Sequence, residues 1–272
     1  MSLIICITDK CGMGCNHCLS SCDSNGQHMT MEVFEHALSY AERACITAGA
    51  VLISGGEPFE HPQIKEILER AVKTKRTLII TVATNGTKLI DDKSLYNWYK
   101  GFLSRNPRVY TQVTNVPKYY PRELTLNERY WLSKLKNCII VTEESEVPLY
   151  PQGRALENYP ADEYRTRGPK CMDTILMALQ TNVRTDYELI HQMVIKLHKF
   201  CVPRINIDGS IAIGESRLCP TIGTLDDTPE KRLDAIRRWS CRGCKEAFCV
   251  MANRTPEVLA VLRTRDILTG KG

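Results

Sequence analysis

The sequence predicts an α/β protein in which a parallel sheet is backed by helices. Short apolar runs of strand character alternate with amphipathic helical stretches as far as about residue 141, the pattern of strand–helix–strand crossovers. A chain of 272 residues with 43% hydrophobic content can bury one large core, or one core plus a small appendage. Loops rich in cysteine and glycine follow the first two strand-like runs, at the carboxyl ends of strands, where such sheets gather their ligands.

Ser2–Ile7 is read as the first strand, with Cys6 as a buried thiol. Thr30 caps a helix that places Phe34, Leu38, Ala41 and Cys45 on one face. Ala50–Ile53 is the second strand. Pro62 suits a first helical turn, and Ile64, Ile67, Leu68, Ala71 and Val72 form the stripe of the next helix. Leu78–Ala83 is the third strand, ending in Thr84, Asn85 and Gly86. A helix over Asp91–Leu103, a strand at Val109–Val113, a helix over Leu126–Lys136 and a strand at Cys138–Val141 complete the alternation. The chain changes character at Pro148, so residues 1–150 are assigned to the sheet domain and 151–272 to a linker and extension. Within the extension, Thr185 to Glu188 form a capping box for a helix carrying Leu189, Met193 and Leu197. Alternating Ile205, Ile207, Ile211 and Ile213 around Asp208-Gly209 predict a hairpin with a two-residue turn. Val258, Leu259, Val261 and Leu262 mark a last helix.

The net charge of +5 is scattered and too small to imply nucleic acid. The basic run of Lys231, Arg232, Arg237, Arg238, Arg242 and Lys245 is read as a solvated helix face. Thirteen cysteines gather toward the two ends of the chain instead of spreading as a disulfide framework, which fits metal ligation in a reducing compartment. Leu3–Ile7 is too short for a secretory signal or a membrane span, so a cytoplasmic protein with no membrane partner is expected.

The chemistry centres on Cys11, Cys15 and Cys18, separated by three and then two residues. Three thiolates so close can hold three corners of a cubane iron–sulfur cluster, leaving one iron open to a small ligand. A zinc knuckle usually sets one close cysteine pair against another further on and fits this loop poorly. A second motif, Val51-Leu52-Ile53 followed by Ser54-Gly55-Gly56-Glu57-Pro58, ends an apolar strand in two glycines that let backbone approach a ligand, with a carboxylate beside them for an ammonium.

With these two motifs the sequence resembles the radical S-adenosylmethionine (radical SAM) enzymes, His17 holding the place of the aromatic residue usual before the third cysteine. The resemblance implies a 4Fe-4S cluster on Cys11, Cys15 and Cys18 whose open iron chelates S-adenosylmethionine, with Gly55, Gly56, Glu57 and Pro58 at the methionine amino group. Thr84, Asn85, Thr111 and Thr114 lie near strand ends where they could reach its adenosine part. The family usually has six strand–helix units and five are convincing here, so the expected fold is a partial, truncated TIM-like barrel, its missing unit lost or hidden between Tyr150 and Lys170. Pro151-Gln152-Gly153-Arg154-Ala155 looks like a motif of the SPASM and twitch subgroup, with no physical role that the sequence discloses.

Cys201 and Cys219 flank the predicted hairpin, and Cys241 and Cys244 form a close pair after it. Ligand spacing alone leaves zinc and iron both open for these four thiols. They are similar to the twitch extension of dehydrogenases acting on 2-deoxy-scyllo-inosamine, which implies one auxiliary 4Fe-4S cluster in a small C-terminal extension. Cys22, Cys45 and Cys138 are read as core or bystander thiols. Cys171 and Cys249 are candidate hydrogen-atom donors to a substrate radical, against simple burial or, for Cys249, a fifth ligand role. The activity implied is cleavage of S-adenosylmethionine to a 5′-deoxyadenosyl radical and hydrogen abstraction, fed by a donor such as flavodoxin or ferredoxin. A small polar metabolite undergoing oxidation or epimerisation is the first expectation for the substrate, and a peptide or protein side chain or α-carbon the second. A zinc-stabilised interaction module is the non-enzyme alternative; it needs neither the loop spacing nor the Gly-Gly-Glu-Pro motif.

Overall fold

The computed structural model describes residues 2–44, 49–74, 77–143, 149, 153–160, 204–212, 221–228 and 231. Its strands are β1 (Ser2–Thr8), β2 (Gly49–Gly55), β3 (Thr77–Thr84), β4 (Val109–Thr114), β5 (Cys138–Val141), β6 (Arg204–Ile205), β7 (Ser210–Ala212) and β8 (Thr221–Thr224). The helices are α1 (Met31–Ala44), α2 (Ile64–Ala71), α3 (Thr87–Asp91), α4 (Lys93–Arg105), α5 (Leu126–Ser133) and α6 (Arg154–Asn158), with a 3₁₀ turn at Pro58–Glu60.

All eight strands form one open sheet in the order β5-β4-β3-β2-β1-β6-β7-β8. Neighbours are parallel from β5 to β6, and the β6–β7 and β7–β8 pairs are antiparallel. Alternation along the strands divides the sheet into two faces. Leu3, Ile5, Ile7, Val51, Ile53, Ile80, Val82, Val109 and Val113 are buried against Phe34 and Ala41 of α1, Ile67 and Leu68 of α2, Tyr99 and Phe102 of α4 and Leu132 of α5. The intervening residues face the cleft side, where Ile79, Tyr110 and Ile139 stand exposed.

Several expectations are corrected. The helix expected over Asp91–Leu103 is α4, which begins only at Lys93 because Asp92 is extended (φ −113°, ψ 93°) and its carboxylate caps Leu95 N at 2.9 Å; a separate short helix, α3, precedes it. The helix expected over Leu126–Lys136 stops at Ser133 and opens on a capping box between Thr125 and Glu128. Pro62 lies ahead of α2, in the turn between it and the 3₁₀ segment. The hairpin turn has three residues, since Asn206 N still donates to Ser210 O at 2.9 Å and only 207–209 are left to turn. Most of residues 150–170, where the missing unit is expected if not lost, lies outside the described residues, and a sixth parallel strand is found further on. The hairpin strand β6 supplies it, pairing Arg204 with Ile4 and Ile205 with Ile5.

Candidate active site

The loop between β1 and α1 carries the three cysteines and is tied down along its length. Cys11 N donates to Asp23 O at 2.7 Å, Asp9 N to Gln27 O at 2.8 Å, and Gly12 N to a Glu60 carboxylate oxygen at 2.8 Å. The start of α6 clamps the far side: Arg154 N donates to Cys18 O at 3.0 Å, and its Nε donates to Cys15 O at 2.9 Å. Gly153 has φ +54°, and a Cβ there would lie 2.5 Å from Cys18 O. The short motif around Gly153 and Arg154 therefore locks the cysteine loop, a role hidden from sequence because 139 residues separate Arg154 from Cys15.

Gly55 and Gly56 sit against the same loop. A Cβ on Gly55 would meet Thr8 O at 2.1 Å, and one on Gly56 would meet Lys10 O at 2.2 Å. Gly56 N donates to Thr8 O at 2.6 Å and Glu57 N to Lys10 O at 2.8 Å. These amides fasten β2 to the cysteine loop. Glu57 likewise turns inward and is fully buried. Its carboxylate accepts from Phe59 N at 3.0 Å, Thr84 Oγ1 at 2.7 Å and Asn85 N at 2.8 Å. Burial pushes it up to about 7 while those three donors pull it back. Glu57 thus anchors the exit of β3, and Pro58 is buried in the 3₁₀ turn beside it.

Cys11, Cys15 and Cys18 line one cleft of about 380 Å³ on the open face of the sheet, together with Gly55, Gly56, Thr84, Asn85 and Thr114. Thr111 is a correction: its side chain takes the helix side of β4, buried and 2.8 Å from the Tyr99 hydroxyl, and Gln112 and Thr114 face the cleft in its place. Alternation along β4 carried that signal. Sequence reading passed over Tyr120 and Arg204 and took Cys22 for a core or bystander thiol; all three line the cleft. Strand pairing reveals Arg204, since its partner Ile4 faces the same way. His17 is buried beneath Tyr119 and Tyr120, with ring centroids at 5.1 and 4.8 Å, and Nδ1 lies 3.1 Å from Tyr119 O.

The thiols sense one another. Burial pushes Cys11 up to about 11, and burial with the charges of Cys11 and Cys18 pushes Cys15 up to about 12. Cys18 is held low, chiefly by a hydrogen bond from the Cys22 thiol. Three thiols that face one cleft within electrostatic reach suit a polynuclear cluster, whose iron corners are held by separate thiolates. Among the described residues, no group of three potential ligands converges as a single bound ion requires. Cys171, Cys201, Cys219, Cys241, Cys244 and Cys249 lie outside the described residues. Among the described residues no helix is long and apolar enough to cross a membrane.

The chain is 31% identical to GTP 3′,8-cyclase of Chlorobaculum tepidum over 85 residues, which are 31% of this chain and 26% of that enzyme; the match spans only about a quarter of the relative. Among solved structures, it resembles BtrN in complex with AdoMet and 2-DOIA at a TM-score of 0.55 and 12% identity, covering 90% of this chain and 84% of that one. It resembles native anSMEcpe with bound AdoMet at a TM-score of 0.54 and 13% identity, covering 99% and 97% of the two chains. At these identities the solved structures speak to the fold, an open parallel sheet of partial-barrel type. Residues 5–97, which hold the cysteine loop, the glycine pair and the Thr84-Asn85 turn, match the family model of the radical SAM superfamily over about a third of the chain.

Proposed function

We propose that this chain reductively cleaves S-adenosylmethionine and removes a hydrogen atom from a carbon of a small polar metabolite, in a reaction that ends in oxidation or epimerisation. The observation that carries the proposal is the convergence of Cys11, Cys15 and Cys18 on one cleft at the open face of a parallel sheet. Those three thiolates would hold a 4Fe-4S cluster. With the cluster and S-adenosylmethionine bound, the site supplies a 5′-deoxyadenosyl radical.

The rest is the work of the chain's own side chains. Ile4, Ala83 and Val141 give the cleft apolar walls that keep water from the reacting carbon, while Gln112, Thr114 and Tyr120 offer neutral hydrogen-bonding groups to orient it. Burial keeps the Tyr120 hydroxyl protonated and so available as a donor. Cys201, Cys219, Cys241 and Cys244 are proposed to hold one auxiliary cluster, and Cys171 or Cys249 to return hydrogen if the reaction is an epimerisation. A flavodoxin or ferredoxin would supply the electron. A peptide substrate is the second reading, favoured by the likeness to anSMEcpe with bound Cp18Cys peptide, at a TM-score of 0.50 and 13% identity.

Anaerobic reconstitution tests the reading. Wild type should bind iron and sulfide and form 5′-deoxyadenosine from S-adenosylmethionine. The triple variant Cys11→Ala, Cys15→Ala, Cys18→Ala should lose all 5′-deoxyadenosine while retaining auxiliary iron. The variant lacking the four extension cysteines should lose about half its iron but still cleave the cofactor. Undiminished cleavage by the triple variant would overturn the cluster assignment.

A further inference from the structure

A side-chain contact from the exit of β3 to the cysteine set comes from Asn85. Its Nδ2 donates to Cys11 Sγ at 3.9 Å, within range for a hydrogen bond to sulfur. The direction of that amide is determined by its other end, because Asn85 Oδ1 accepts from Thr87 N at 2.9 Å and from Thr87 Oγ1 at 2.6 Å. With the oxygen so occupied, the NH₂ group is the end that meets the cysteine. The backbone is held as well: Asn85 N donates to Glu57 at 2.8 Å, and Thr84 Oγ1 both donates to Glu57 at 2.7 Å and accepts from Gly86 N at 2.9 Å. An amide fixed at its oxygen, its backbone and both neighbours cannot turn away from the sulfur without breaking several bonds.

We infer that Asn85 is a positioning residue that sets the reduction potential of the cluster held by Cys11, Cys15 and Cys18, through its hydrogen bond to Cys11 Sγ. The inference rests on the proposed cluster. Reduction adds negative charge to the ligand sulfurs, and a donor aimed at one of them stabilises the reduced state more than the oxidised, so the bond raises the potential. Thr87 serves as the device that aims it. Glu57, buried behind both, ties the Gly-Gly-Glu turn to the same function without reaching the cleft.

The experiment is potentiometric titration of the reconstituted protein followed by electron paramagnetic resonance, without S-adenosylmethionine, so that any effect on cofactor binding is kept out. At a fixed poise, Asn85→Ala should lower the ratio of reduced to oxidised cluster about tenfold, equivalent to about 59 mV for a one-electron couple. Asn85→Asp should lower it further, because a carboxylate then faces the thiolate. Thr87→Val, which keeps Asn85 but removes one of the bonds that aim it, should fall between, and Thr87→Ser should match wild type. Should Asn85→Ala fail to fold, the Thr87 pair still decides. An unchanged or raised potential in a variant that retains its iron and sulfide overturns the inference and leaves the cluster reading intact. A wild-type protein that assembles no cluster overturns that reading first, through iron and sulfide content alone.

Discussion

At the residue scale, Glu57 carries an unusual load for a carboxylate. It has no exposure to solvent, and its two oxygens serve three donors from two segments, the 3₁₀ turn and the exit of β3. Its carboxyl is raised from 4.5 to about 7 by burial, so the folded protein binds a proton between those values that the unfolded chain has released. The contribution of Glu57 is therefore full below the unfolded value and is lost as pH rises through about 7. Glu57→Gln mimics the protonated form in shape but turns an NH₂ toward one donor, which costs about 1 to 3 kcal/mol. We expect the deficit of this variant in urea unfolding to shrink as pH is raised from about 5 to about 8. A deficit that stays constant over that range would mean that the three donors win and the group stays ionised.

At the element scale, the short helix α6 matters more than its five residues suggest. It delivers Arg154 to two carbonyls of the cysteine loop, and Gly153 lets the two backbones meet. Gly153→Ala is expected to push α6 away from Cys18, since the new methyl would strike Cys18 O, Leu19 O and Leu19 C at 2.5 to 2.8 Å. The cost should be about 1 to 3 kcal/mol for the forced left-handed backbone plus the clash. Iron and sulfide content after reconstitution should fall, while far-ultraviolet circular dichroism stays close to wild type. Retention of a full cluster would show that the loop holds its shape without the clamp.

At the scale of the molecule, β1 is the hinge of the architecture, with β2 on one side and β6 from two hundred residues later on the other. The cysteine loop leaves its carboxyl end, so the packing of β6 supports the site from beneath. Ile205 is fully buried, pairs with Ile5 and Ile211, and belongs to the main core. Ile205→Ala should cost about 2 to 5 kcal/mol, as large-to-small changes in cores do, and lower the melting temperature accordingly. A variant within a few tenths of wild type would mean that the β6 pairing contributes little to the fold.

The sequence by itself determined the class of the sheet, the positions of its first five strands and the two motifs that flank the cleft. Those features are local: period-two and period-3.6 alternation, glycine where backbone needs room, and thiols at short spacing are all written in consecutive residues. Only the tertiary structure decided which side of β4 meets the cleft, that Glu57 faces inward, and that Asn85 reaches Cys11. It alone brought Arg204 and Arg154 to a site coded at the other end of the chain. Each of these depends on pairing between distant segments, and a one-residue change of register or an unseen strand neighbour would reverse the answer without altering any local pattern.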